Sequence, residues 1–346
     1  MTGTHLYEAF TQAWPAFALV AGLLLVGAAA AREGIFAEAG ALAARAPGGG
    51  FVLLALLLCV EAVVTAVLNL DTAVVFMTPV LLHAARHRGV GDEPFLYGSV
   101  FMANAASLLL PGSNLTNLIV LAREPVSGST FAARLWPAWL VAVAVTIAFL
   151  AVVYRRTLSH HLARDVEHAP FRPGAGAAGI LLGVTLILTL AHPALPVLAL
   201  GLVVAAWSRL GVRPALSVAN PVVLGVVLAV AVGLGTLARS VGVFGQLVAN
   251  AGRWETAWLA VGAAVVVNNL PAAALLSAHP PAHPRALLLG LDLGPNIAVT
   301  GSLSAIFWLR VARANDARPS LLRYSLLGVI LVPVTLTLAL LAAANF

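Results

Sequence analysis

Residues 292–304 read DLGPNIAVTGSLS, and residues 109–118 read LLPGSNLTNL. Each stretch lies inside a long apolar run and places proline, glycine and hydrogen-bonding side chains where an uninterrupted helix would have none of them. Proline lacks the backbone donor and glycine is a poor helix former, so both stretches predict a helix that stops and restarts. An earlier interruption precedes each: Asn69-Leu70-Asp71 within 51–83, and Asn268-Asn269 before Leu270-Pro271 within 256–278. The same order, an interrupted run and then a broken one, therefore occurs twice.

The chain has 346 residues, of which 61% are hydrophobic and 9% charged. A soluble domain carries about 25% charged residues, so this composition belongs in a bilayer. Unalternated runs such as WPAWLVAVAVTIAFLAVVY at 136–154 predict helices and exclude a barrel, whose strands alternate. At about 17–25 residues per span, apolar segments fall at 13–31, 51–83, 95–122, 132–154, 176–192, 195–208, 218–237, 256–278, 285–309 and 322–345.

Paired interruptions in corresponding places point to a transporter, because half-helix ends and freed backbone groups can bind a solute. The expected fold class is an all-α polytopic membrane protein, an inverted repeat with two re-entrant hairpins and two broken transmembrane helices. The first half covers 1–154, with a hairpin at about 51–83 and a broken helix at about 95–122. A cytoplasmic linker (155–175) and two connecting spans (176–208) follow. The second half covers 218–346, with a hairpin at about 256–278 and a broken helix at about 285–309. Eight crossings result, with both termini outside. Only Arg123, Arg134, Arg239, Arg253 and Arg285 then fall on the outer side, and every other arginine falls inside. That distribution obeys the positive-inside rule.

All the positive charge is arginine, scattered between apolar runs, which excludes a nucleic-acid patch. The single cysteine, Cys59, excludes a disulfide framework or a thiolate metal site. The N-terminal MTGTHLYEAF has no basic region before its first apolar stretch, which argues against a cleaved signal peptide. His160 and His161 lie in the linker, and His279 and His283 in a proline-rich loop. No HExxH motif and no phosphate loop of Walker type occurs, so neither a metal, a cofactor nor a catalytic residue is expected. Trp14, Trp136 and Trp139 read as interface anchors.

A carboxylate at bilayer depth costs about 2.5–3.5 kcal/mol even on insertion scales, so each needs a reason. Glu61, Asp71 and Asp292 are the candidates for proton coupling. Asp71 could also be no more than the cap of a helix beginning at Thr72, since Asp is a favoured N-cap. Asp292, opening the second break, carries the same ambiguity, and Glu61 could instead pair with a neighbouring helix. Ser113, Asn114, Thr116 and Asn117 crowd one break, and Asn296, Thr300, Ser302 and Ser304 the other. These donors and acceptors without net charge suit a neutral polyhydroxy solute or an oxygen-coordinated cation.

At these positions the sequence resembles the arsenite and antimonite efflux permeases of the ion transporter superfamily. The stretches carrying the resemblance are LNLDTAVVFMTPVLLHAARHRG (68–89), NAASLLLPGSNLTNLIV (104–120), VNNLPAAALLSA (267–278) and GLDLGPNIAVTGSLSAIFWLRV (290–311). The resemblance implies paired hairpins and broken helices, and export of trivalent arsenic or antimony hydroxide in exchange for protons across the cytoplasmic membrane. It also implies a possible homodimer and a possible soluble ATPase partner. Carried onto this chain, it sets Asn69, Asp71 and Thr72 with Ser113, Asn114, Thr116 and Asn117 on one side of the substrate. Asn268, Asn269, Asn296, Thr300 and Ser302 lie on the other, and Asp71 is the leading proton-coupling residue. The chain is shorter than most members of that family.

A sodium/proton antiporter, or a sodium-coupled carrier of dicarboxylate-like anions, would use the same breaks, although neither break contains an arginine. A membrane enzyme would need a nucleophile and base, or a metal cluster. The breaks hold neither histidine nor cysteine, and a scaffold would not need two matching breaks.

Overall fold

The computed structural model describes residues 2–122, 126–159 and 173–343. Most of the linker at 155–175, with His160 and His161, and Arg123 of the outer loops lie outside the described residues. The described chain is helical throughout. Five of its helical stretches are long and apolar enough to cross a membrane, and two further apolar helices are shorter. Side chains such as Leu181, Val222, Val266 and Leu322 are more than two-thirds exposed, giving an outer surface that suits lipid.

The chain opens with a long helix, α1 (Thr2–Arg32), followed by a short amphipathic one, α2 (Ile35–Arg45). The latter buries Phe36, Gly40, Ala43 and Ala44, and pairs Glu38 with Arg45. Its mixed composition hides it from a reading based on apolar runs. The stretch 51–83 becomes a hairpin of α3 (Gly50–Val67) and α4 (Leu70–His87), turning at Leu68 and Asn69. The stretch 95–122 becomes α5 (Glu93–Ala106), a 3₁₀ turn at Pro111–Ser113, and α6 (Leu115–Leu121).

Next come α7 (Gly128–Val153), α8 (Arg155–Leu158), α9 (Ala175–Thr189), α10 (Ala194–Trp207), α11 (Val212–Ala219), α12 (Pro221–Val241) and α13 (Val243–Asn250). The second hairpin is α14 (Arg253–Val267) with α15 (Asn269–Leu276), turning at Asn268. The second broken helix is α16 (Pro284–Leu293), two 3₁₀ turns at Gly294–Ile297 and Val299–Gly301, and α17 (Leu303–Ala314). The chain ends in α18 (Leu321–Ala343).

The two motifs interlock. The return arm of each hairpin packs on the second part of the other motif's broken helix: α4 on α17, and α15 on α6. Between them α5 packs on α16 and on the 3₁₀ turn that follows it. The outer helices brace this unit. Trp139, on α7, is half-buried and donates through Nε1 to the Ala106 carbonyl at the end of α5 (3.1 Å), so it serves the break and not an interface alone. On the other flank, buried Gln12 of α1 donates to the Ile119 carbonyl of α6 (2.9 Å) and to Ser277 Oγ beyond α15 (3.1 Å), and accepts from Arg239 of α12.

Candidate functional site

Every break ends in a residue that caps the helix restarting after it. Asn69 Oδ1 accepts from Thr72 N (2.7 Å), Asn114 Oδ1 from Thr116 N (3.1 Å), Asn268 Oδ1 from Leu270 N (3.3 Å), and Ser302 Oγ from Ala305 N (3.1 Å). Short polar side chains accept first-turn amides that no carbonyl of the helix can reach. The cap of α4 is therefore Asn69, and α4 begins at Leu70. This corrects the reading of Asp71 as the cap of a helix starting at Thr72: Asp71 stands inside the first turn with its carboxylate free for another task.

The four capped helices, α4, α6, α15 and α17, begin around one cavity of about 140 Å³. Its polar lining is Asp71, Asn114, Asn268, Asn269, Ser302 and Ser304, and Val226, Val227 and Val230 of α12 form an apolar wall. Asp71 is the one charged residue of that lining, and no basic residue belongs to it. Helix N-termini bear partial positive charge, so the cavity sets one carboxylate among amide dipoles. A larger cavity of about 440 Å³ lies elsewhere, between α1, α6 and the α9–α10 connection; it is chiefly apolar and holds none of the candidate solute-binding or proton-coupling residues.

Asn268 holds the second hairpin's turn at φ 81°, ψ 146°, a backbone region that costs a non-glycine residue of order 1–3 kcal/mol. Its side chain works against that strain: Oδ1 caps α15, and Nδ2 donates to the Thr300 carbonyl at 2.9 Å. The hairpin turn is thereby tied to the second break.

Behind the cavity, Asp292 links the two motifs. Its Oδ1 accepts from Asn114 Nδ2 (2.8 Å) and Thr116 Oγ1 (2.8 Å), and its Oδ2 from Ser107 Oγ (3.1 Å). Fully buried, Asp292 has both oxygens satisfied by these three donors. Asn296 Oδ1 accepts from Asn104 Nδ2 (2.8 Å), while Asn296 Nδ2 donates to the Phe101 carbonyl (3.3 Å).

The residues expected at the solute thus separate into groups. Asp71, Asn114, Asn268, Asn269 and Ser302 line the cavity. Asn69 is a cap, and Thr72 is buried next to it with an unpartnered hydroxyl. Thr116 and Asn296 belong to the cross-motif network. Ser113 donates to the carbonyls of Ser107 and Leu110, and Asn117 to that of Ser107 at 2.8 Å, so both re-satisfy backbone opened by the break. Thr300 takes part through its backbone carbonyl while the residue is exposed. Glu61 is fully buried in α3, away from the cavity.

Three residues escaped the sequence reading: Ser99, Asn104 and Ser107. A signal existed for Asn104, which stands ten residues before the capping Asn114 as Asp292 stands ten before the capping Ser302.

Two hairpins and two broken helices sharing one polar cavity define a multi-pass membrane transporter, not an enzyme. A family model described as citrate transporter matches residues 3–291, and the chain belongs to that family. Its place in the ion transporter superfamily agrees with what the motifs resemble. An uncharacterized transporter of Mycobacterium tuberculosis is 24% identical over 94% of this chain and 85% of its own length. The silicon efflux transporter LSI3 of Oryza sativa subsp. japonica is 28% identical over 42% of this chain, a match that spans 30% of the rice protein. Among solved structures, the Alcanivorax borkumensis YdaH transporter, described as having an unusual topology, shares the fold with a TM-score of 0.58 at 13% identity, over 98% of this chain and 87% of that one.

Proposed function

We propose that this transporter exports a small neutral oxyacid in its hydroxide form, of the arsenite or antimonite type, across the cytoplasmic membrane in exchange for protons. The observation that carries this reading is the cavity lining: amides, hydroxyls and one carboxylate, with no basic side chain. Uncharged M–OH groups donate to Asp71 and to the amide oxygens, and accept from amide nitrogens and first-turn backbone N–H groups. An anion would meet Asp71 with no side-chain counter-charge. The rice relative's name supports the reading, because silicon, like trivalent arsenic and antimony, dissolves at neutral pH as an uncharged hydroxide. Asp71 holds solute when ionised and takes a proton once the solute has left, which makes the exchange obligatory at one group.

A second reading has its own observation. Four helix N-termini meet at the cavity, and half-helix dipoles can bind a carboxylate without arginine. The description of the family model, citrate transporter, fits that alternative. Uptake into everted vesicles separates the two. With an imposed proton gradient, arsenite accumulates under the first reading and is ignored under the second, where citrate accumulates instead. Uptake driven by sodium alone would overturn the proton exchange.

A further inference from the structure

Among the described residues two carboxyl groups are sealed completely, Asp292 and Glu61, and their surroundings differ. Asp292 takes three donors. Glu61, equally inaccessible, makes no hydrogen bond of good geometry, and the Thr65 hydroxyl one turn further along α3 is unpartnered. The Ser99 hydroxyl of α5 is close enough to give Glu61 one weak neutral donor, and it is also bonded to Thr78 Oγ1 of α4 at 2.6 Å. Leu57, Leu58 and Ala62 of its own helix belong to the dry cluster around it.

Among the described residues, no ion pair to Glu61 is formed by the elements packed against α3. Glu38 and Arg45 of α2 pair with each other. On α4, Arg86 pairs with Asp92, Asp71 lines the cavity, His83 and His87 stack at its exposed end, and the buried Arg88 that ends it donates to the Ala44 and Gly48 carbonyls. On α5, Glu93 pairs with Arg323, and Tyr97 is bonded to Ser320. Arg134 of α7 lines a separate cavity, Tyr154 lies under the Arg323 guanidinium, and Arg155 and Arg156 of α8 are exposed.

Burying an ionised carboxylate with no counter-charge and no more than one weak neutral donor costs several kcal/mol, and such a group neutralises instead. A metal cation in its place would want several ligating side chains, and among the described residues no three His, Cys, Asp or Glu side chains come together. A proton needs no such cluster. We infer that Glu61 is a proton-binding site separate from the solute cavity, filled while the α3–α4 hairpin is seated against α5 and emptied to water when the two part. The step is a simple acid dissociation: the carboxyl O–H breaks, the proton passes to water, and reseating of the hairpin takes one proton back. Because α4 carries Asp71, this site links the hairpin that holds the solute to the proton gradient. The inference rests on the proton-exchange reading and adds a second proton-binding group to it.

The test compares wild type with Glu61→Gln, a neutral isostere of the protonated acid, using the full chain in lipid. An infrared difference spectrum between the two at neutral pH is expected to show the carbonyl stretch of a neutral carboxylic acid disappearing in the variant. Loss of a carboxylate band instead overturns the inference, whether or not arsenite is the solute. In proteoliposomes, arsenite-for-arsenite exchange is expected to persist in Glu61→Gln, while the number of protons moved per solute falls. An unchanged proton ratio would make the neutral carboxyl a packing element and defeat the coupling role. If wild type moves no arsenite, the proposed solute fails alone, since the infrared comparison still decides Glu61.

Discussion

Asn114 caps α6, and its Nδ2 donates at 2.8 Å to the carboxylate of Asp292 at the end of α16. The first break is therefore held open by a carboxyl group from the second motif. Thr116, one residue into α6, donates to the same oxygen, so the start of that helix hangs on Asp292 from two points. A hydrogen bond contributes about 0.5–1.5 kcal/mol net, and a buried donor left without its acceptor costs about 1–3 kcal/mol. Asp292→Asn offers one acceptor oxygen and turns an NH₂ group toward hydroxyl and amide donors. We expect it to lose at least tenfold in solute affinity and to lower Tm, although Asp292 itself lines no cavity. Equilibrium binding and thermal unfolding in detergent check both.

The second hairpin turns on a strained residue, and comparing two substitutions separates strain from contact. Glycine accepts the φ of 81° at Asn268 without cost, whereas alanine does not. Both lose the cap on α15 and the bond to the Thr300 carbonyl. Asn268→Ala should therefore unfold at a lower temperature than Asn268→Gly, by the equivalent of about 1 kcal/mol. Both should bind solute more weakly than wild type. Equal Tm values for the two would show that the turn relaxes and carries no strain.

Tight packing against the second break gives a further test. A Cβ at Gly328 on α18 would run into the backbone of Asn296 and Ile297, and one turn earlier Tyr324 donates to the Pro295 carbonyl at 2.9 Å. Gly328→Ala should cost about 1–3 kcal/mol, the usual range for overpacking a well-filled interior. Gly225, on α12, has nothing near its Cβ position, so Gly225→Ala is the control and should be neutral or slightly stabilising. Calorimetry of the two variants measures the difference.

How far the sequence reveals this site depends on whether the signal is local. The breaks were legible because Pro111, Gly112, Gly294 and Pro295 declare themselves against apolar helices. The caps were partly legible: Asn69, Asn114 and Ser302 are the residue types that accept first-turn amides, but Asp71 competed with Asn69 for that role and the sequence could not choose between neighbours. The partnership of Asp292 with Asn114 and Thr116 spans well over a hundred residues and leaves no periodic trace. Ser99 looked like any small residue in an apolar helix until packing set it beside Glu61. The amphipathic α2 was missed because neither its length nor its composition marks a span.

Asp71 and Glu61 sit on the two arms of one hairpin, and their substitutions should fail in different ways. Asp71 is 6% exposed, lines the cavity and is its only charged residue, so Asp71→Asn removes the strongest acceptor a solute hydroxyl can find there. One charge-assisted hydrogen bond of about 1.5–3 kcal/mol corresponds to roughly a 10- to 150-fold loss of affinity. Net export and solute-for-solute exchange should fall together, while the amount of folded protein in the membrane stays unchanged. Glu61 lies outside the cavity lining, so Glu61→Gln should spare exchange and reduce only gradient-driven accumulation. The comparison is made with radiolabelled arsenite in vesicles, with and without a proton gradient. Exchange that survives Asp71→Asn at wild-type rates would remove Asp71 from the solute site and leave the neutral residues Asn268, Asn269, Ser302 and Ser304 to bind it.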